Sequence, residues 1–188
     1  GIFAYGRVGA SAVATSNLVS NTGVVASDVS GVGTARNNPN GACEYSASKD
    51  KGIFAYGTTG SVVSMSNLVS NVGVVATDVT GVGSARQDTA ACGYGEDKGI
   101  FAYGWTTSNA NISNLVSNTG VVSTDVTGVG TARYSLAATQ YGYDKGIFGF
   151  GINAAMNETN LVSSSGVVST DVTGVGTDRS TLAACSFN

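Results

Sequence analysis

The sequence predicts an all-β fold, a four-bladed β-propeller of four-stranded antiparallel blades in which the C-terminal strand completes the first blade. Three observations predict it. The hexapeptide Gly1-Ile2-Phe3-Ala4-Tyr5-Gly6 returns at Gly52 and Gly99, and as Gly-Ile-Phe-Gly-Phe-Gly at Gly146. The starts lie 51, 47 and 47 residues apart, so four repeats take up residues 1–188 as one domain. Each repeat holds four short apolar runs separated by glycine and small polar residues, and none has the three-and-four spacing of an amphipathic helix. The closing residues, Thr181-Leu182-Ala183-Ala184-Cys185-Ser186-Phe187-Asn188, align with the first run of the other repeats.

The first run is Ala90-Ala91-Cys92-Gly93-Tyr94 in one copy and Leu136-Ala137-Ala138-Thr139-Gln140-Tyr141 in another. Its small side chains suit the innermost strand of a tightly wound ring, where large ones would wedge the blades apart. The second run, Ile-Phe-Ala-Tyr, is apolar or aromatic at both parities, as expected of a strand covered on both faces. Ser-Asn-Leu-Val is the third strand, and Gly-Val-Val leading to Asp-Val-Ser/Thr-Gly-Val-Gly is the fourth. One such unit cannot bury its own apolar face, so sheets must stack on sheets. Twenty-seven glycines and one proline, Pro39, fit a chain that turns often and keeps its backbone donors for pairing. A returning C-terminal strand would leave no inner edge unpaired in the first blade.

The order of a small-residue strand, a Lys-Gly-Ile-Phe-Ala-Tyr-Gly strand, a Ser-Asn-Leu-Val strand and a Val-Gly-Thr-Ala-Arg exit resembles a divergent kelch-type propeller repeat, whose length of about 50 residues is close. Tyr-Gly or Phe-Gly stands where kelch has paired glycines, and Val24 or Val25 stands near its tryptophan. The wording also resembles predicted proteins of marine bacteriophages and other environmental sequences. The resemblance implies an attachment role and an extracellular or virion-associated setting.

Nine Lys and Arg against twelve Asp and Glu give a net charge of −3 with no basic cluster, which argues against nucleic acid as a partner. No run approaches the ~20 apolar residues of a bilayer-spanning helix, so no membrane insertion is expected. No cofactor and no metal are expected: the chain has no histidine, and Cys43, Cys92 and Cys185 recur by duplication as small hydrophobes rather than as ligands. Kelch-like oxidases use histidines and copper, which this chain cannot supply. No catalytic residues are assigned, although Glu44, Glu96 and Glu158 fall in variable segments and leave a glycosidase-like site as a lesser alternative.

Two sets of polar or aromatic residues stand out. Asp28, Asp78, Asp125 and Asp171 each precede an arginine by eight residues, at Arg36, Arg86, Arg133 and Arg179. Repetition in every copy marks a structural device, with the aspartate bonding its own turn and the arginine bonding carbonyls or that carboxylate. Site residues need not repeat, so variable loops are the place to look for ligand contacts. Trp105, Tyr134 and Tyr143 lie in such loops and are the candidate ligand-binding residues. The expected function is a non-catalytic binding or attachment module for a cell-surface glycan or protein. The alternative is a structural, self-assembling propeller. The chain is expected to be a monomer or a small homo-oligomer, with an eight-bladed ring built from two chains as one arrangement.

Overall fold

The computed structural model describes residues 1–154 and 156–187, and they form four small antiparallel sheets with no helix. The first sheet pairs β1 (Ile2–Val8) with β2 (Ser11–Leu18). The second has the order β3 (Ala42–Tyr45), β4 (Lys51–Ala55), β5 (Ser66–Val69). The third has the order β6 (Ala90–Tyr94), β7 (Lys98–Trp105), β8 (Asn109–Val116). The fourth has the order β9 (Ala137–Tyr141), β10 (Lys145–Gly151), β11 (Met156–Val162). The hexapeptide strand is central in each three-stranded sheet. Register repeats with the sequence: Cys43 faces Ile53, Cys92 faces Ile100 and Thr139 faces Ile147.

The sheets have two or three strands rather than four. The fourth run reduces to two isolated bridges per repeat, such as Val19 with Val25 and Ser16 with Val29. The cause is a side chain in the ladder. The Asn17 amide donates to the Ala26 carbonyl and to the Asp28 carboxylate, between those two bridges, and Asn67, Asn114 and Asn160 do the same in their repeats.

The expected C-terminal strand is also absent among the described residues. Residues 181–187 carry no strand pairing, Phe187 is 95% exposed, and Asn188 lies outside the described residues. The first sheet therefore keeps only two strands, and no sheet is closed. Connectivity accounts for this. β3 is tied to β4 by a short turn, whereas the tail would have to close a loop of nearly the whole chain, an entropic difference of roughly 3 kcal/mol. Cys185 and Ser186 still line the same small open pocket as Cys43, Cys92 and Thr139.

The Tyr-Gly pair is a β-bulge. Tyr5, Tyr56, Tyr103 and Phe150 have φ of 61 to 64°, and the glycines that follow have φ of 107 to 114°. The pairing register slips across the pair in three of the four sheets. A left-handed aromatic residue costs about 1 kcal/mol or more, and the neighbours offset it. The bulge glycine donates to the carbonyl of its own repeat's arginine (Gly57 to Arg86, 3.0 Å; Gly104 to Arg133, 2.9 Å), and the bulged ring is aimed at the next sheet.

There each tyrosine ring meets a phenylalanine edge to face: Tyr5 with Phe54, Tyr56 with Phe101 and Tyr103 with Phe148, at 5.4 to 5.6 Å between centroids. Close approach of the inner strands needs glycine opposite cysteine. A Cβ on Gly99 would run into Cys43 Sγ, and one on Gly146 into Cys92 Sγ. The core is thus a row of inter-repeat contacts. Ile53, Ile100, Phe101, Phe148, Val116 and Val162 are buried, while Phe3, on which no aromatic ring packs among the described residues, is 64% exposed.

Candidate functional site

Arg86 and Arg133 are fully buried at the junctions between repeats. Each stacks on the bulged tyrosine of its own repeat, with the guanidinium carbon 4.0 and 4.3 Å from the ring centroids of Tyr56 and Tyr103. Each then reaches forward. Arg86 Nε donates to the Tyr103 carbonyl (2.9 Å) and Nη2 to Asn114 Oδ1 (2.6 Å); Arg133 repeats this with Phe150 (2.8 Å) and Asn160 (2.6 Å). The nearby carboxylate belongs to the following repeat: Asp125 lies 4.0 Å from Arg86 and Asp171 3.8 Å from Arg133.

The aspartates bond across the same seam rather than within their own turns. Asp78 accepts from the Thr34 amide and hydroxyl, Asp125 from those of Ser84, and Asp171 from those of Thr131. Burial pushes these carboxyls up, but the bonds from the Thr or Ser hydroxyl and the Asn amide outweigh it and leave all three below the usual aspartate value. The eight-residue spacing from Asp to Arg therefore spans two half-sites on opposite faces of one repeat. Arg36 makes a looser junction. It stacks on Tyr5 at 3.9 Å, but its bond to the Phe54 carbonyl is 3.4 Å, and Arg36 Nε, Arg36 Nη1 and Asn67 Oδ1 are buried without partners among the described residues.

The candidate ligand residues divide. Trp105 ends β7 and exchanges both backbone hydrogen bonds with Gln87, while Tyr134 exchanges a pair with Ile152 just past β10. These pairings put the two rings edge to face at 5.4 Å across the third and fourth repeats, both half-buried. Tyr143 is not with them. It lies 70% exposed in the turn before β10, at the opposite end of that strand from Tyr134.

Beside the Trp105 and Tyr134 pair lies a polar group that sequence reasoning did not single out. Asn38, Asp88, Ser135 and Thr181 each follow their arginine by two residues and have φ of 50 to 56°. Their backbones link in series: the Asp88 amide donates to the Asn38 carbonyl (3.2 Å), Ser135 to Asp88 (3.2 Å) and Thr181 to Ser135 (3.0 Å). The Asp88 side chain is buried and accepts from Asn40 Nδ2 (2.8 Å) and Gln87 Nε2 (3.1 Å). Burial raises its pKa above the usual aspartate value, and the bonds from Gln87, Asn38 and Asn40 pull the other way. The available signal was a position that varies in an otherwise constant frame, coupled to a strained backbone.

The remaining charged residues are dispersed. Lys98 pairs with Asp97 (2.6 Å) and Lys145 with Asp144 (2.8 Å) in the turns that join inner and middle strands. Glu96 lies in one of these turns, at the far end of β7 from Trp105; Glu44 is in β3 and Glu158 in β11. Among the described residues no group of His, Cys, Asp and Glu could hold a metal ion. The three cysteines are unpaired; burial pushes the Cys92 thiol up to about 12, and burial raises Cys43 further, while Cys185 is exposed. Among the described residues no helix is long and apolar enough to cross a membrane. No protein-family model matches the chain, and no curated protein is similar to it.

Proposed function

We propose that the chain is a non-catalytic binding module, built from blades of a β-propeller, that holds a cell-surface glycan on the face carrying Trp105, Tyr134 and the Asp88 group. The observation that carries the reading is the pairing of Trp105 with Tyr134 next to Gln87, Asp88 and Asn40. Aromatic faces take the apolar side of a sugar ring, and a cluster of amides with one carboxylate takes vicinal hydroxyls. A polar, lightly charged surface and an extracellular or virion-associated setting accompany that role.

The test is a glycan array with the folded chain, followed by calorimetric titration of the best sugar. Trp105→Ala and Tyr134→Ala should each weaken binding by roughly tenfold, and Tyr143→Ala, at the other end of the sheet, should leave it unchanged. A blank array, or full affinity in Trp105→Ala, overturns the reading. Binding to a surface protein in place of a sugar would move the partner class and keep the site only if the Trp105 variant fails.

A further inference from the structure

The group beside Trp105 and Tyr134 holds a negative charge that no cation of the chain answers. Among the described residues Asp88 is the one buried carboxylate, 8% exposed, and it stands in no ion pair. Arg86, two residues before it, engages its three guanidinium nitrogens with the Tyr103 and Ser84 carbonyls and with Asn114. What opposes the cost of burying Asp88 is the side-chain amides of Gln87, Asn38 and Asn40, with no cation among them. Charges taken out of water are ordinarily paired, so a carboxylate held by amides alone is half of an arrangement.

The neighbouring side chains add acceptors. Asn40 Nδ2 and Gln87 Nε2 are committed to the two oxygens of Asp88, which leaves Asn40 Oδ1 and Gln87 Oε1, and among the described residues neither accepts a hydrogen bond. Three amide donors leave at least one of the roughly four acceptor positions of a carboxylate open. A second, independent gap lies in the same place: Thr89 is fully buried, and its hydroxyl has no partner among the described residues. A Cβ on Gly41, which follows Asn40, would come within 2.9 Å of Thr89 Oγ1, and one on Gly104, which precedes Trp105, within 3.0 Å of Thr89 Cγ2. That side chain therefore lies between the two halves of the site.

The backbone holds the aromatic pair against this group. Gln87 exchanges both hydrogen bonds with Trp105, which sets their side chains on one face of the bridge, and the Ser135 amide, next to Tyr134, donates to the Asp88 carbonyl. An aromatic face attracts a cation, an open carboxylate position bonds one most strongly, and free amide oxygens accept from it. All three preferences select a positively charged donor with no acceptor of its own. An ammonium group is that donor.

We infer that the sugar held at this site carries a free, protonated amine, whose ammonium takes the open position on Asp88 and lies against Trp105. The ligand is a cationic amino sugar of the glucosamine kind. The inference rests on the glycan reading above and adds to it the class of sugar. N-acetylation removes the charge that Asp88 lacks, and a sugar acid places a second negative charge beside an unpaired one.

Trp105 is the only tryptophan, so its emission reports the site directly. The folded chain is titrated at pH 6 with tetrasaccharides of glucosamine, N-acetylglucosamine, glucose and galacturonic acid. The glucosamine oligomer should bind roughly tenfold or more tighter than the N-acetylated and neutral ones, and the acidic one should bind weakest. Raising sodium chloride from about 50 to about 500 mM should weaken the glucosamine oligomer and leave the neutral one unchanged. These ratios are read in the wild-type chain and need no variant. Asp88→Asn, checked for folding by its urea midpoint, should bring the glucosamine oligomer down to the level of the N-acetylated one. Equal affinity for the two, lost in Trp105→Ala, leaves the glycan reading standing and overturns this inference. A preference for the amine that survives intact in folded Asp88→Asn overturns it as well, and so does an absence of binding by all four, in which case the glycan array judges the wider reading by itself.

Discussion

Replacing Arg133 with methionine removes the most completely engaged side chain of the junctions, and the cost follows from its partners. Arg133 is fully buried and supplies the donors for Asn160 Oδ1 and the Phe150 carbonyl, and for the carbonyl of half-buried Thr131, where water can take its place. Each orphaned acceptor costs roughly 2 kcal/mol, loss of stacking on Tyr103 about 1 kcal/mol, and the apolar methionine returns about 1 kcal/mol. The net loss is about 4 kcal/mol. Arg36→Met is the control. That side chain has one long bond and two buried nitrogens already unpaired, so its removal should cost about 1 kcal/mol, chiefly the stacking on Tyr5. Urea unfolding followed by Trp105 fluorescence and far-ultraviolet circular dichroism reads both variants. Arg133→Met should also lower Tm by about 8–16 °C for a chain of this size. Equal losses in the two variants would refute the account of the junction as a hydrogen-bonded seam whose value depends on its bonds.

Glycine at the seam is testable in the same way: Gly130→Ala, at φ 74° and against Asp171 and Asn160, should cost about 3 kcal/mol, and Gly142→Ala, at φ 57° in open space, about 1 kcal/mol, read from urea midpoints. Acid should weaken the seams. Asp78, Asp125 and Asp171 have lowered folded values, so their contribution is present above the unfolded value of 3.8 and is lost as pH falls through the folded values. Asp88 has the opposite sign: its folded value is raised, so wild type should lose stability relative to Asp88→Asn as pH rises from below 3.8 through that raised value, and a constant difference in chemical melts from pH 3 to 7 would contradict it. In dilute native samples at pH 8, iodoacetamide should label Cys185 alone, and labelling of all three thiols should require denaturant, as mass spectrometry can count.

The period, the β character and the small-residue inner strands were legible because each is written four times and each follows from local chemistry. The shared register of Cys43, Cys92 and Thr139 was legible for the same reason. The fourth run was not, because Val24 and Val25 read as strand while the side chain of Asn17, several residues away, occupies the ladder. The tail was not, because alignment with an inner strand carries no information about the turn that would tie it to β1. Of the site, Trp105 and Tyr134 were named from loop variability, but their meeting depends on bridges from Gln87 to Trp105 and from Tyr134 to Ile152 that no local pattern encodes. Asp88 was hidden for a related reason: a carboxylate in a variable loop looks solvated until its burial and its bonds to Asn40 and Gln87 are known. The recurrent Asp and Arg stood out by spacing, yet spacing along one repeat could not show that each looks to a different neighbour.

That division of labour decides where the chain can be cut and rejoined. Every repeat presents an arginine to the repeat after it and an aspartate with an asparagine to the repeat before it, so removal of residues 52–98 as a block would bring Arg36 to Asp125 and Asn114 with both halves of the seam intact. Removal of a length other than a whole period would break the order in which asparagine, aspartate and arginine follow one another and leave a seam with only one of its halves. Gain and loss of whole units is therefore the cheap direction of change for this architecture, and partial units are the expensive one.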